Sequence, residues 1–184
     1  MRDSRLHLCT IISKISEENF RHEECYVLAH EDFFRKLDDS LIINENAILS
    51  MIFFTRESRR NEKFSKDEEE KLILEGWQHF LKEFSLPCYY YRSDWVSYLV
   101  LLKNDTEQIF PAFKQVFKVW EQELYPHLWR IAFTNLKDSK NRDLNRVIGD
   151  FYKITDNAIR YYYPSERFFR IDADEHYAIP ISLS

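Results

Sequence analysis

The sequence predicts an α+β fold, an antiparallel sheet with helices packed over one face, and three observations point to it. From Ala47 onward, short apolar runs alternate with long amphipathic stretches in the order β-α-β-β-α-β-α-β. The two middle runs, Cys88–Arg92 and Ser97–Lys103, have Ser93-Asp94-Trp95 between them, which reads as a hairpin. The 184 residues, 45% of them hydrophobic, suffice for one domain that buries well over half of its unfolded surface.

Taken in order, residues 1–46 read as a helical N-terminal extension or linker. Leu8, Ile11, Ile12 and Ile15 share one helical face, and Phe33, Phe34 and Leu37 mark a second helix. Ala47–Thr55 (AILSMIFFT) is short, apolar and bounded by polar clusters, as a buried central strand should be. Ser65-Lys66-Asp67-Glu68 is a capping box, and Leu72, Ile73, Trp77, Phe80, Leu81 and Phe84 follow at helical spacing until Pro87. After the hairpin, Thr106 is expected to cap a helix that buries Ile109, Phe110, Phe113, Val116, Phe117, Trp120 and Leu124, with Pro111 near its first turn. His127–Thr134 reads as a strand. Asn141 or Asp143 opens a third helix, its apolar stripe running from Leu144 to Tyr162. Arg167–Ile171 is a last short strand, and the tail to Ser184 is weakly patterned. The βαββαβ part of this order is the ferredoxin-like split unit, here with an added C-terminal helix and edge strand. Residues 47–184 form the domain in this reading.

Composition removes several functions. The chain has two glycines, Gly76 and Gly149, where average usage gives about 13. They lie too far apart for a dinucleotide fingerprint or a phosphate-cradling loop. The balance of 26 basic against 31 acidic residues gives no excess of positive charge for a nucleic-acid backbone. The cluster Arg56, Arg59, Arg60, Lys63 is broken by Glu57 and Glu62 and reads as a solvated loop. Cys9, Cys25 and Cys88 are odd in number and widely spaced, which argues for a reducing compartment rather than a disulfide framework. No apolar run approaches the ~20 residues that span a bilayer, and Met1–Ser16 lacks a signal-peptide pattern. The expected location is the cytoplasm, without membrane contact.

Thr155-Asp156-Asn157-Ala158-Ile159-Arg160-Tyr161-Tyr162-Tyr163 falls in register with the helix, approximately A-D-x-A-L-Y-x-A-K, that closes the GGDEF domain of diguanylate cyclases. Together with the element order, it makes residues 47–171 resemble that nucleotidyl-cyclase palm. The chain is more similar still to the degenerate GGDEF-like central domains of bacterial AraC-type transcription regulators and response regulators. Their S-I-G-I-S strand, Y-x-E-A-x-x-A-L-x-Y helix and F-F run correspond to Arg130–Thr134, Tyr152–Tyr161 and Phe168-Phe169. In this register Asp94, Trp95, Val96, Ser97 and Tyr98 lie over G-G-D-E-F. Active cyclases of the family use those glycines for close approach to a nucleotide and the next carboxylate to hold divalent metal. Trp95, Val96 and Ser97 supply neither. Thr55 stands where the family's other metal-binding aspartate ends the first strand, and Ser58–Phe64 does not match its F-K-x-I-N-D segment.

The resemblance therefore implies a non-catalytic signal-relay or interaction module, with no catalytic residues, no metal and no cofactor. Its partners would be flanking receiver or sensor and DNA-binding domains, the chain being a fragment of a larger regulator that does not itself touch DNA; a homodimer is compatible. The alternative is a divergent nucleotide-binding palm or cyclase-like enzyme with a non-standard site. Candidate ligand residues for a small molecule or nucleotide are Arg92, Asp94 and Trp95, at the former nucleotide edge. Around them, strand alternation is expected to put Tyr89, Tyr91 and Tyr98 on one face. Cys9, His22, Cys25 and His30 lack the two tight pairs of a structural zinc site and read as core and surface residues. Tyr161-Tyr162-Tyr163 cannot all be buried on one helix, so its outer members are candidates for packing against a neighbouring domain.

Overall fold

The computed structural model describes residues 25–55, 65–94, 96–123, 129–139, 143–172 and 174–182. The expected first helix around Leu8–Ile15, the Arg56–Lys63 cluster, Trp95, Asn141 and the Cys9 and His22 members of the candidate zinc set lie outside these residues. The elements are β1 (Cys25–Val27), α1 (His30–Ile42), β2 (Ile48–Phe54), α2 (Lys66–Glu83), β3 (Cys88–Arg92), β4 (Ser97–Leu102), α3 (Thr106–Glu123), β5 (Trp129–Asn135), α4 (Leu144–Asn157), β6 (Phe168–Asp172) and β7 (Tyr177–Pro180). A π turn, Ala158–Tyr162, continues α4.

The strands form one seven-stranded sheet in the order β1-β3-β4-β2-β5-β6-β7. Its centre, β3-β4-β2-β5, is antiparallel throughout and is the expected split βαββαβ unit. The outer additions make the sheet mixed. α4 carries the chain over to β6, which pairs parallel to β5 because a crossover helix returns the chain in the same direction. β1 pairs parallel to β3, and β7 closes the far edge antiparallel to β6. Neither β1 nor β7 was expected: residues before 47 read as helical and the tail as weakly patterned.

Helices cover both faces rather than one. Ile73, Trp77 and Phe80 of α2 and Phe113, Phe117 and Trp120 of α3 pack on Ile48, Ile52, Val100, Ile131 and Phe133. Phe33, Leu37 and Leu41 of α1 and Val147, Phe151 and Ile154 of α4 pack on Leu49, Met51, Leu99, Leu101 and Ala132. β2 and β4 are buried along their whole length, and such continuous apolar runs require cover on both sides.

Local signals set the helix ends. Ser65 and Glu68 form both halves of the capping box, and α2 stops at Glu83, before Pro87. α3 starts one residue earlier than expected at its cap: Asp105, not Thr106, holds that position, its carbonyl accepting from Gln108 and Ile109. Gln108 reaches back to the Asp105 N–H at 3.3 Å. Pro111 consequently lies in the second turn, on the exposed side of α3. Asp143 caps α4 by accepting from the Arg146 N–H. Gly76 lets α2 lie directly on the sheet: a Cβ there would fall inside the Trp129 indole, and its carbonyl accepts from Trp120 Nε1 at 3.0 Å. Among the described residues, no helix is long and apolar enough to cross a membrane.

Candidate functional site

On the α1/α4 side a cleft of about 630 Å³ opens at the hairpin end of the sheet. Three segments line it: the end of β2 (Phe53, Phe54, Thr55), the β3–β4 hairpin (Asp94, Val96, Ser97) and α4 with its π turn (Tyr152, Thr155, Asp156, Ile159, Arg160), over Met51. α4 can serve both core and cleft because it carries two stripes. Val147, Phe151, Ile154 and Ala158 bury against the sheet. Tyr152, Thr155, Asp156 and Ile159, spaced i, i+3, i+4 and i+7, form the adjacent half-polar face towards the hairpin. The π turn then widens the helix and rotates its last residues. Tyr162, expected on the apolar stripe, is 71% exposed, beside Tyr161 at 72%.

Hydrogen bonds hold the hairpin wall. The Ser97 carbonyl accepts from Ser93 N at 3.1 Å and Asp94 N at 3.4 Å, and the Ser93 and Ser97 hydroxyls lie 2.6 Å apart. Asp94 Oδ1 accepts from the Val96 N–H at 2.7 Å, a side-chain turn that orients the carboxylate. Burial pushes the Tyr152 phenol above its ordinary pKa; a hydrogen bond with Ser93 opposes the rise, while the Asp94 charge and Tyr91 add to it. Across the cleft, Asp156 pairs with Arg160 at 2.6 Å, and Thr155 bonds back to the Phe151 carbonyl at 2.7 Å.

Behind Thr55 stands a buried cation. Arg130 on β5 donates to Thr55 Oγ1 at 3.0 Å and to the carbonyls of Glu166 and Pro164 at 2.9 and 2.7 Å. It thereby ties the end of β2 to the loop between the π turn and β6.

The structure separates the candidate ligand residues. Asp94 lines the cleft. Arg92 lies on the opposite face, its guanidinium 5.7 Å from the centre of the Tyr98 ring, and Trp95 is outside the described residues. Tyr98 does not share a face with Tyr89 and Tyr91. The register pairs Tyr91 with Leu99 and Arg92 with Tyr98, so Tyr98 turns towards α2 and stacks on Trp77 at 3.8 Å. Tyr91 instead meets Phe33, Phe34 and His30 of α1. The α4 wall, Tyr152, Thr155 and Asp156, was not among the candidate residues; its half-polar stripe was the available signal.

Among the described residues lining the cleft, the carboxylates are Asp94 and Asp156, each held by a neighbour. Among the described residues, no group of three or more His, Cys, Asp and Glu side chains is placed to hold a metal ion.

No family model matches the chain, and no curated protein sequence matches it. Solved structures do match. The active GGEEF domain of a diguanylate cyclase from Vibrio cholerae is 14% identical and superposes with a TM-score of 0.51 over 69% of this chain and 87% of that one. A DGC protein from Thermotoga maritima is 15% identical, with a TM-score of 0.49 over 70% of this chain and 94% of that one. At such identity the first match shows the fold: this sheet and its helices follow the GGDEF-type palm.

Proposed function

We propose that this chain is a non-catalytic regulatory or interaction module built on a GGDEF-like palm. The observation that carries this reading is the chemistry at the cleft. The positions that the resemblance assigns to metal-binding carboxylates are Thr55, Val96 and Ser97, and Thr55 is bonded to the guanidinium of Arg130. A hydroxyl held by a fixed cation is a poor ligand for a divalent ion. Among the described residues, the cleft carboxylates Asp94 and Asp156 do not replace it: Asp94 braces the hairpin and Asp156 pairs with Arg160.

The resemblance of Arg130–Thr134, Tyr152–Tyr161 and Phe168-Phe169 supports a narrower reading, the central domain of a bacterial AraC-type transcription regulator. In such a protein the domain relays a signal between a receiver or sensor domain and a DNA-binding domain. A ligand shifts that relay only by binding two arrangements with different affinity. The exposed Tyr161 and Tyr162 offer a surface against which a flanking domain can pack.

One observation favours the second reading, a divergent nucleotide-binding palm: the cleft has the volume of a small-molecule site. Calorimetric titration with GTP, ATP and cyclic di-GMP in the presence of Mg²⁺, with chromatography of the products, tests both. The module reading expects no turnover of GTP or ATP. Binding without turnover would favour the nucleotide-binding palm, and formation of a cyclic product would overturn the non-catalytic reading.

A further inference from the structure

A second group of reactive side chains lies where β1 joins the sheet, on the other side of the hairpin from the cleft. Cys25 and Cys88 stand directly opposite each other in the parallel β1–β3 register. Neither is in a disulfide, and Cys88 Sγ donates to Cys25 Sγ at 2.9 Å. Neighbouring strands run about 4.7–4.9 Å apart, within the Cα separation of about 4.4–6.8 Å that a disulfide bridges. The strand spacing is therefore compatible with a bond between these sulfurs. The two thiols differ in access. Cys88 is buried and its pKa is raised, first by the hydrogen bond to Cys25 and then by burial. Cys25 is half-buried on an edge strand, with a weak contact from its Sγ to the Leu86 carbonyl at 3.7 Å.

We propose that Cys25 and Cys88 are a reversible dithiol–disulfide pair, oxidised by peroxides, that staples β1 to the sheet. Cys25 sulfur, the more accessible, attacks one oxygen of hydrogen peroxide. The O–O bond breaks, giving a sulfenic acid on Cys25 and one water. Cys88 sulfur then displaces the hydroxyl from Cys25 sulfur. The Cys88 proton leaves with it as a second water, and the S–S bond forms. Two thiols are oxidised as one peroxide is reduced to two waters, and a thiol reductant reverses the change by exchange.

The mechanical consequence is local. β1 has three residues and, among the described residues, pairs with β3 and makes a ring contact, Tyr26 to Tyr89 at 5.9 Å. A covalent link between residues 25 and 88 closes a long loop, which restricts the unfolded chain and raises stability. The redox state would thus set how firmly β1 is tied to the sheet.

The test uses the full chain, reduced with dithiothreitol or treated with stoichiometric hydrogen peroxide. Oxidation should lower the intact mass by two hydrogens, link the peptides carrying Cys25 and Cys88, and raise the thermal midpoint. Dithiothreitol should reverse all three. Cys25→Ser and Cys88→Ala should each abolish the link and the shift, whereas Cys9→Ser should retain both. If Cys88→Ala does not fold, Cys25→Ser, at the more exposed position, carries the control. A cross-link through Cys9, sulfinic acid without a cross-link, or a full count of free thiols after oxidation would overturn the proposal.

Discussion

Under α2 and α3 the sheet is closed by rings, whereas under α1 and α4 it opens into the cleft. On the first face Phe113, Phe133 and Phe168 interlock, Trp120 stacks on Trp129, and Trp77 stacks on Tyr98. The second face has fewer fully buried rings, Phe33, Phe151 and Phe169 among more Leu and Ala side chains, with Ser97, Arg130 and Thr155 buried at the cleft end. Aromatic burial supplies large apolar area with fixed ring geometry, while buried polar groups need partners to be tolerated at all. The contrast assigns stability mainly to the aromatic face and the polar-lined cleft to the other.

The largest expected effect is on the aromatic face. Trp120→Ala removes a fully buried ring and the indole N–H that donates to the Gly76 carbonyl, and should cost about 3–5 kcal/mol in urea unfolding. A loss below about 1 kcal/mol would break the comparison. Gly76→Ala should cost about 1–3 kcal/mol, because its Cβ has to displace the Trp129 indole. The chain's other glycine supplies the control. Gly149 is exposed within α4 with open space around it, so Gly149→Ala should stabilise by about 0.5–1 kcal/mol through helix propensity. One residue of the aromatic face runs against its character. Ser50 lies mid-strand in β2, fully buried, with no hydrogen-bond partner for its hydroxyl among the described residues. Ser50→Ala should therefore stabilise by about 1 kcal/mol; destabilisation would show that the hydroxyl has a role on this face.

Legibility in the sequence followed the range of the forces involved. The α2 cap and the start of β3 after Pro87 are written in adjacent residues, and both stand where expected. β1 and β7, at three and four residues, are strands because β3 and β6 give them partners. No local pattern records that. Parity explains two misplacements in the hairpin: a shift of one residue turns a side chain to the other face, which puts Tyr98 and Arg92 towards α2 rather than beside Tyr91 and the cleft. Asp94 borders the cleft because it lies at the turn itself. Tyr152, Thr155 and Asp156 reach the same cleft from a helix more than fifty positions later, where only tertiary packing unites them.

The smallest expected effect separates the faces through their tyrosines. Burial raises the pKa of Tyr98 on the aromatic face, with Arg92 opposing, and burial also raises that of Tyr152 at the cleft, where Asp94 adds to the rise. A phenol whose folded pKa exceeds its unfolded value of about 10 favours folding fully below that pH. The contribution fades as pH rises towards the folded value, because the unfolded state releases its proton first. Tyr98→Phe and Tyr152→Phe should each flatten the alkaline fall in stability. Asp94→Asn distinguishes them. It removes the charge facing Tyr152 and should bring that tyrosine's absorbance titration to lower pH, leaving Tyr98 unmoved on the far side of the sheet. Equal shifts at both tyrosines would mean that the faces are electrostatically coupled, and the division drawn between a structural face and a site-bearing face would fail.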